Sequence, residues 1–388
     1  MFKESTDITI NLTITARCYA RCKGCINSSM TFCSGDFRDL SDLESDPARD
    51  VRLIIKIAQR YPDKGVTVCF YGGEPFLHPE KMDQVRRLLE KSAIGSRVRY
   101  MVYTTGEFIG ASVSKYPDLI QDMWLYSISV DGSKRQHESV RPGTSLEKTL
   151  SNLETLRRVY RGPVLAWSTL REEQSLLDCF QQFMSMRERG LADHFFWHWA
   201  DAKQPFEHFE KYSRDYRADL EEIMTQYVSS ISRGDILPIS HINELLLYRI
   251  EGRQRGHTAC AVELAQNYDI LGGQVHACAD LPHSLGASSA DGSVDINPQK
   301  LKSLTAYKGK LGCSRCIAHW YCGGRCPVQA IVGSPERTGQ ICQLVRLHVN
   351  TVEGYIPQIR KNLEKYNITA QDLYDRSAFI AKYTDVVP

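Results

Sequence analysis

Three cysteines lie close together near the start of the chain, with three residues between the first pair and two between the second. They are Cys18, Cys22 and Cys25, in the stretch RCYARCKGCINSS that begins at Arg17. Three thiolates are one fewer than most thiolate-bound metals need. They can, however, hold three irons of a [4Fe–4S] cluster and leave the fourth iron open to a ligand that is not protein. The spacing favours such a cluster, while a zinc site with a distant fourth ligand and three unrelated buried thiols stay open as alternatives.

A second group of seven cysteines lies in the last third of the chain. Its members are Cys260, Cys278, Cys313, Cys316, Cys322, Cys326 and Cys342. Seven thiolates exceed the four ligands of a single tetrahedral site. The group therefore indicates two metal centres, or fewer centres with spare thiols, and a zinc ribbon remains an alternative for the part that contains the CxxC pair.

The composition favours a globular protein whose thiols bind metal. The chain has 388 residues, 42% of them apolar, and its net charge of +2 gives no basic field that would attract nucleic acid. Because we find neither a signal peptide nor an apolar run of about 18 residues, we expect a cytoplasmic protein without a membrane partner. Cytosolic thiols stay reduced, so metal explains the 13 cysteines better than disulfides do.

The first half of the chain alternates strand-like and helix-like segments. Runs rich in β-branched and aromatic residues predict six strands, at residues 8–14, 66–73, 98–106, 125–132, 163–170 and 194–200. Amphipathic stretches between them predict four helices, at residues 46–61, 79–92, 145–160 and 176–190. This alternation predicts a parallel sheet with helices outside it, which binds ligands beyond the carboxyl ends of its strands. The three-cysteine loop follows the first strand and so lies at that edge.

The stretch CYARCKGC resembles the CxxxCxxC signature of the radical S-adenosylmethionine (SAM) superfamily. The resemblance implies that the open iron binds the amino and carboxylate groups of SAM, and that reductive cleavage yields methionine and a 5′-deoxyadenosyl radical. YGGEP, from Tyr71 to Pro75, is similar to the GGEP motif of this family, which contacts the methionine ammonium. By the same resemblance the SAM-binding residues are Tyr71, Gly72, Gly73, Glu74, Thr104, Ser129 and Arg141. Arg141 is expected to pair with the methionine carboxylate, and Asp131 to shape the end of its strand.

One position departs from the family pattern. The residue before the third motif cysteine is usually aromatic and stacks near the adenine, but here it is Gly24. We therefore expect the adenine to pack on another residue, with Tyr19, Ile26 and Met30 as candidates.

The second cysteine group resembles the SPASM domain that follows the barrel in many radical SAM enzymes. The resemblance assigns Cys313, Cys316, Cys322 and Cys342 to one fully ligated auxiliary [4Fe–4S] cluster. It assigns the remaining three, Cys260, Cys278 and Cys326, to a second cluster. That cluster would have an open iron, or would take His257 or a carboxylate as its fourth ligand. With the SAM-binding cluster, the expected cofactors are SAM and three [4Fe–4S] clusters.

We thus expect an α/β fold, with a partial (β/α)6 barrel followed by a small cysteine-rich domain of the SPASM type. The predicted division is residues 1–235 for the barrel, 236–349 for the auxiliary cluster domain and 350–388 for a C-terminal helical tail.

The sequence gives weaker signals for the acids, bases or radical relays of the reaction than for the metal-binding cysteines. In relatives that oxidise cysteine or serine side chains, a catalytic aspartate directly follows the cysteine that corresponds to Cys278. Here Ala279 takes that place and Asp280 comes next, so Asp280 is the candidate base. Further candidate acids, bases or radical relays are Asp131, His198, Tyr103 and Asp201. Cys33, which follows the first cysteine loop, could approach the active site.

The resemblance implies a radical SAM oxidoreductase that abstracts a hydrogen atom, with a peptide or protein side chain as the expected substrate for oxidation or cross-linking. Expected partners are a reductant such as flavodoxin or ferredoxin and a separate peptide-recognition protein. Two alternatives stay open. One is oxidation or decarboxylation of a small molecule such as a porphyrin, sugar or cofactor precursor, and the other is a non-enzymatic metal-binding or electron-transfer protein.

Overall fold

The computed structural model describes residues 7–27, 43–281, 301 and 303–384. Cys33 and Met30 lie outside these ranges. The strands are β1 (Ile8–Thr15), β2 (Val66–Gly72), β3 (Val98–Thr104), β4 (Met123–Ser129), β5 (Val164–Leu170), β6 (His194–Trp199), β7 (Asn267–Leu271) and β8 (Gln274–His276).

Helices surround this sheet and continue into the C-terminal part. Those up to residue 251 are α1 (Pro47–Gln59), α2 (Pro79–Glu90), α3 (Ile109–Val113), α4 (Pro117–Asp122), α5 (Lys134–Val140), α6 (Leu146–Val159), α7 (Leu176–Glu188), α8 (Phe209–Ile231) and α9 (Ser240–Glu251). Those that follow are α10 (Tyr307–Lys310), α11 (His319–Cys322), α12 (Pro327–Val332), α13 (Pro335–Lys365) and α14 (Ala370–Arg376). Among the described residues, no helix is both long enough and apolar enough to cross a membrane.

The eight strands form one sheet in the order β6-β5-β4-β3-β2-β1-β7-β8. All neighbouring strands are parallel except β7 and β8, which pair antiparallel. β1 is buried along its whole length, as expected of a central parallel strand that is covered on both faces. The predicted α/β fold with a partial barrel is confirmed, and each of the six predicted strands and four predicted helices is present.

Two features were not predicted. β7 and β8 come from the cysteine-rich half of the sequence, yet β7 pairs with β1 and so extends the barrel sheet. The predicted boundary between residues 349 and 350 lies inside α13, a helix of 31 residues.

The last described segment, residues 378–384, covers one face of the sheet near the amino ends of its strands. A 3-10 helix, Ala378–Tyr383, places Ile380 and Tyr383 against apolar side chains that project from the strands. These side chains are Cys69, Met101, Leu125, Leu165 and Phe196. Because side chains alternate between faces along a strand, the residues two positions further on face the same interior, closer to the carboxyl ends.

Candidate functional site

The first cysteine loop, residues 16–27, is held against the barrel by main-chain hydrogen bonds. The Arg21 and Lys23 amides donate to the carbonyl oxygens of Pro142 and Val140, at 2.8 and 2.9 Å. Burial raises the pKa of the Cys18 thiol to about 12, and the neighbouring thiols Cys22 and Cys25 add to this rise. A buried thiol whose pKa is raised in this way becomes a thiolate readily only when a cation is bound beside it.

Gly24 adopts a left-handed backbone conformation in this loop, with φ of +59°. That conformation explains why glycine replaces the family's aromatic residue, since other residues rarely adopt it. Of the substitutes that the sequence suggested, Ile26 lines the cavity described below. Tyr19 instead packs its ring edge on Phe108 and hydrogen-bonds with Thr105 at 2.7 Å.

The glycines that end β2 allow close contact with the cysteine loop. A Cβ atom on Gly72 would lie 2.3 Å from the carbonyl oxygen of Thr15, and one on Gly73 would lie 2.1 Å from that of Arg17. The Gly73 amide donates to the Thr15 carbonyl at 2.8 Å. Any side chain at these two positions would therefore push the cysteine loop away from β2.

Glu74 is fully buried and accepts hydrogen bonds from protein groups alone. Thr104 Oγ1 donates to one carboxylate oxygen at 2.6 Å, and the Thr105 amide and hydroxyl donate to the other, each at 2.8 Å. The Phe76 amide donates as well, at 3.1 Å. Burial raises the pKa of Glu74 despite these four donors. In this structure the carboxylate joins the ends of β2 and β3 and does not line the cavity, so its contact with a ligand ammonium stays a prediction.

A buried carboxylate with two arginines lies beyond the end of β4. Asp131 accepts from Arg141 at 2.7 and 3.2 Å, from Arg171 at 2.9 Å and from the Thr169 amide at 2.9 Å. Burial alone would raise the pKa of Asp131, but the two guanidinium groups outweigh it and hold the pKa far below its usual range. Two cations and one anion leave a net positive charge beside the cavity, which suits an anionic ligand group.

The same arginines secure the first cysteine loop. Arg171 Nε donates to the Lys23 carbonyl at 2.5 Å, and Arg141 Nη1 approaches Cys22 Sγ at 3.8 Å. The sequence did not mark Arg171, although its position directly after β5 was a signal that could have found it. Both guanidinium groups line the cavity.

A cavity of about 240 Å³ opens at the carboxyl ends of the strands. Of the predicted SAM-binding residues, all but Glu74 line it: Tyr71, Gly72, Gly73, Thr104, Ser129 and Arg141. Tyr71, Tyr103 and Trp167 form an aromatic wall with successive edge-to-face contacts at 5.5 and 5.1 Å. Thr384, next to the 3-10 helix near the amino ends of the strands, also lines the cavity.

The second cysteine group divides into two sets in space. Burial raises the pKa of Cys278 well above its usual value, and the nearby thiols Cys326 and Cys260 add to this rise. All three line the same cavity as the first cysteine loop. Cys260, Cys278 and Cys326 therefore share one cavity with Cys18, Cys22 and Cys25.

The remaining four cysteines form a third set, none of which lines this cavity. Burial raises the pKa of Cys313, and the nearby thiols Cys342 and Cys316 add to this rise. Burial likewise raises the pKa of Cys322 to about 11, with a further contribution from Cys342. The assignment of these cysteines to two auxiliary clusters, which the SPASM resemblance implied, stays a prediction.

The two kinds of metal site that the sequence left open place different demands on their thiolates. Zinc, with Zn–S bonds of about 2.3 Å, would need its thiolates within about 4 Å of one another. A [4Fe–4S] cluster spaces its cysteines more widely, because each binds a different iron. Among the described residues, no three His, Cys, Asp or Glu side chains are placed to share one metal ion. The iron–sulfur clusters stay a prediction, which the metal content of the protein decides.

Several candidate acids and bases reach the cavity. Asp280, His198, Tyr103 and Asp201 line it, whereas Asp131 does not. Arg325 Nη1 donates to Asp201 at 2.7 Å, and burial lowers the pKa of His198 to about 4, so that this imidazole is neutral at pH 7.

Sequence reasoning missed one cavity carboxylate, Asp269 on β7. Asn11 Nδ2 donates to one of its oxygens at 2.7 Å, and the Ala279 amide donates to the other at 2.5 Å. Burial raises the pKa of Asp269 to about 6. A charged residue within the apolar run NYDIL was the signal that could have found it.

Comparisons with known proteins agree with this geometry. Residues 12–169 match the Radical SAM superfamily. The structure of anSMEcpe with bound AdoMet superposes with a TM-score of 0.67 at 14% identity, covering 92% of this chain and 100% of that one. A second anSMEcpe structure, with AdoMet and the Cp18Cys peptide, gives 0.65 at 15% identity over 92% and 99%.

Streptococcus suis SuiB bound to S-adenosylmethionine gives a TM-score of 0.50 at 14% identity, covering 76% of this chain and 63% of that one. No curated protein matches the chain significantly. At such identities the structural likeness establishes the fold alone.

Proposed function

Since residues 12–169 are a radical SAM domain, and the chain has the fold of a radical SAM enzyme with a SPASM-type C-terminal domain, we propose that it modifies a peptide or protein side chain by hydrogen-atom abstraction. A [4Fe–4S] cluster with SAM on its open iron supplies a 5′-deoxyadenosyl radical when it is reduced by one electron.

One observation carries this proposal. One cavity is lined both by Cys18, Cys22 and Cys25 and by the set that begins with Cys260. A substrate in this space would lie between two cluster sites, each with three cysteines. Such an arrangement suits an oxidation in which the first site starts the reaction and the second removes an electron.

The arginines beside the cavity have a defined task in this reaction. Arg141 and Arg171 present excess positive charge where the family places the SAM carboxylate, and Asp131 fixes their orientation. Arg141 also approaches Cys22, so the same side chain links the ligand site to the cluster loop. The expected result is a SAM carboxylate that is held in a fixed position before reduction.

The structural neighbours favour a peptide substrate. The anSMEcpe structures with bound peptides share this fold. The cavity of about 240 Å³ would also have to hold SAM, so its volume does not separate a peptide side chain from a small molecule. The likeness to the peptide-bound structures is therefore what supports a peptide substrate over a compact small molecule.

Two carboxylates are available to accept the proton that an oxidation releases. Asp280 lines the cavity two residues after Cys278, and it remains our candidate base. Asp269 faces the same space and, with a pKa of about 6, is the alternative acceptor near neutral pH.

The first experiment is anaerobic reconstitution with iron and sulfide, followed by dithionite and SAM. We expect about twelve irons per chain and the formation of 5′-deoxyadenosine and methionine. Replacing the three N-terminal loop cysteines by alanine should abolish SAM cleavage and leave about eight irons. Zinc in place of iron, with intact SAM, would identify a binding protein instead.

A second experiment separates peptide from small-molecule substrates. A candidate peptide labelled with deuterium should transfer one deuterium to 5′-deoxyadenosine, which mass spectrometry detects. A screen in which peptides transfer none, while a deuterated small molecule does, would contradict the peptide proposal and leave the radical chemistry intact.

A further inference from the structure

The set of four cysteines has a surface of its own, separate from the reaction cavity. Cys313 and Cys316 are partly exposed, and neither they nor Cys322 and Cys342 line the cavity. A cluster with four protein thiolates has no open iron for a substrate. This inference rests on the proposed function. The site can then exchange only electrons, and it exchanges them with a partner that docks on the adjoining surface.

The sequence around this site is basic. Residues 301–335 contain five lysines and arginines and no aspartate or glutamate. Two of these cations have acidic partners, since Lys308 pairs with Glu263 at 3.1 Å and Arg325 with Asp201 at 2.7 Å.

Two other cations, Lys310 and Arg315, are exposed. Among the residues that the structure describes, neither has a carboxylate partner. Both belong to the series of tight turns that carries Cys313 and Cys316. The Leu311 amide donates to Tyr307, that of Arg315 to Gly312, and that of Cys316 to Cys313.

The same turns expose two large apolar side chains. Ile317 is 63% exposed, the highest value among the large apolar residues described, and Leu311 is 41% exposed. Apolar side chains that remain open to water beside exposed cations are typical of a transient protein interface.

We propose that this surface, the 310–317 patch (Lys310, Leu311, Arg315 and Ile317), docks a small acidic electron-carrier protein. The carrier gives up one electron, and the [4Fe–4S] site held by Cys313, Cys316, Cys322 and Cys342 gains it. The reverse transfer would discharge that site after substrate oxidation. The patch is small, which fits redox complexes, whose interfaces fall below about 1,200 Å².

Charge complementarity selects the partner. Lys310 and Arg315, which have no carboxylate partner within the described ranges, attract an acidic surface and accelerate its encounter at low salt. The apolar pair then supplies the contact that excludes water between the two redox centres.

The test uses the reconstituted enzyme with an acidic flavodoxin and, separately, an acidic ferredoxin. Affinity is measured by anaerobic calorimetry, and electron transfer by stopped-flow absorbance of the clusters. In the double variant Lys310→Glu/Arg315→Glu, we expect both the affinity and the rate to fall about tenfold or more at low salt. The difference should shrink at high salt, where charges are screened.

A matched control carries the same charge change elsewhere. Arg360→Glu/Lys361→Glu alters two exposed cations of α13, about 27 Å along the helix from Cys342. This variant should bind the carriers as the wild type does. Ile317→Ser, which changes no charge, should lower affinity without altering the salt dependence.

The outcomes separate this proposal from the proposed function. Dithionite needs no docking, so SAM cleavage driven by dithionite should be equal in the wild type and in the double variant. If neither the wild type nor the double variant cleaves SAM, the proposed function is refuted. Equal carrier binding by the wild type and the double variant would overturn the proposal that the 310–317 patch is the docking surface. If the double variant loses iron, the test rests on the salt dependence of carrier binding by the wild type. A wild-type affinity for the carriers that does not change with salt would contradict a charged interface.

Discussion

Replacing Asp131 by asparagine tests the buried charge arrangement at the base of the proposed SAM site. The change preserves the shape of the side chain and removes its charge. Arg141 and Arg171, both buried, would then have lost the anion to which they donate at 2.7 to 3.2 Å. Removing one partner from a buried ion pair costs about 3–5 kcal/mol, because the remaining charge stays desolvated without compensation. We therefore expect the free energy of unfolding to fall by about that amount.

The assay is urea unfolding of the cluster-free protein at pH 7, with Glu154→Gln as the matched control. Glu154 pairs with Arg189 at 2.7 Å, but these side chains are 50% and 42% exposed. An ion pair of this kind contributes about 0–1 kcal/mol. If Asp131→Asn costs no more than Glu154→Gln, the buried network does not stabilise the fold, and our reasoning on the site is refuted.

The pH dependence gives an independent check on the same group. The pKa of Asp131 lies far below its usual range in the folded protein. Its stabilising contribution is therefore complete above the unfolded-state pKa of about 3.9 and is lost as the pH falls below that value. The free energy of unfolding of the wild type should fall as the solution is acidified, whereas that of Asp131→Asn should fall less over the same pH range.

Three further predictions concern single residues. Arg141→Ala should weaken SAM binding by about 1.5–3 kcal/mol in anaerobic calorimetry, as expected for a charged hydrogen bond, and unchanged affinity would exclude its assigned role. Asp269 has a folded pKa of about 6 against an ordinary 3.8, so at 1.36 kcal/mol per pH unit the cluster-free wild type should lose about 3 kcal/mol as the pH rises from about 4 to 6. Asp269→Asn should reduce this loss by about 3 kcal/mol in pH-resolved urea unfolding, and a loss equal to that of the wild type would mean that another group causes it. Gly323→Ala places a Cβ 1.9 Å from the His257 carbonyl oxygen at a φ of +59°, and should cost about 1–3 kcal/mol or more. Gly309→Ala, with no atom within 4 Å, is its control, and equal stability of the two variants would contradict the crowding.

The strands and their ends could be predicted from sequence because local signals agree there. Runs of β-branched and aromatic residues, often followed by glycine or aspartate, mark β1 to β6 and place the motif residues at one edge of the sheet. The number of late cysteines likewise indicated more than one metal centre or spare thiols, since a single site takes four ligands, whereas their division into sets came from the resemblance to the SPASM domain.

What the sequence could not reveal depends on contacts between distant segments. β7 has only five residues, and Asp269 interrupts its apolar pattern, so local periodicity does not identify it. Its place beside β1 follows from pairing across more than 250 residues, including the Asn11 side chain with Asp269. Glu74 illustrates the same limit. Its motif predicts a ligand contact, which stays a prediction, but the hydrogen bonds from Thr104 and Thr105 to the carboxylate could not be read from the sequence, because they form only once β2 and β3 are adjacent.

The closure of the barrel by residues 378–384 has a consequence for how the protein is made. Tyr103 on β3 donates to the carbonyl oxygen of Tyr383, which is 280 residues later in the chain. At about 5–20 residues per second, a ribosome delivers that partner roughly 15–55 s after Tyr103. During this interval the apolar interior of the barrel, including Met101 and Phe196, lacks its cover in the nascent chain. The cavity is therefore complete only after residue 384 has emerged, so the proposed loading of iron and SAM into a finished site comes after that segment has been made.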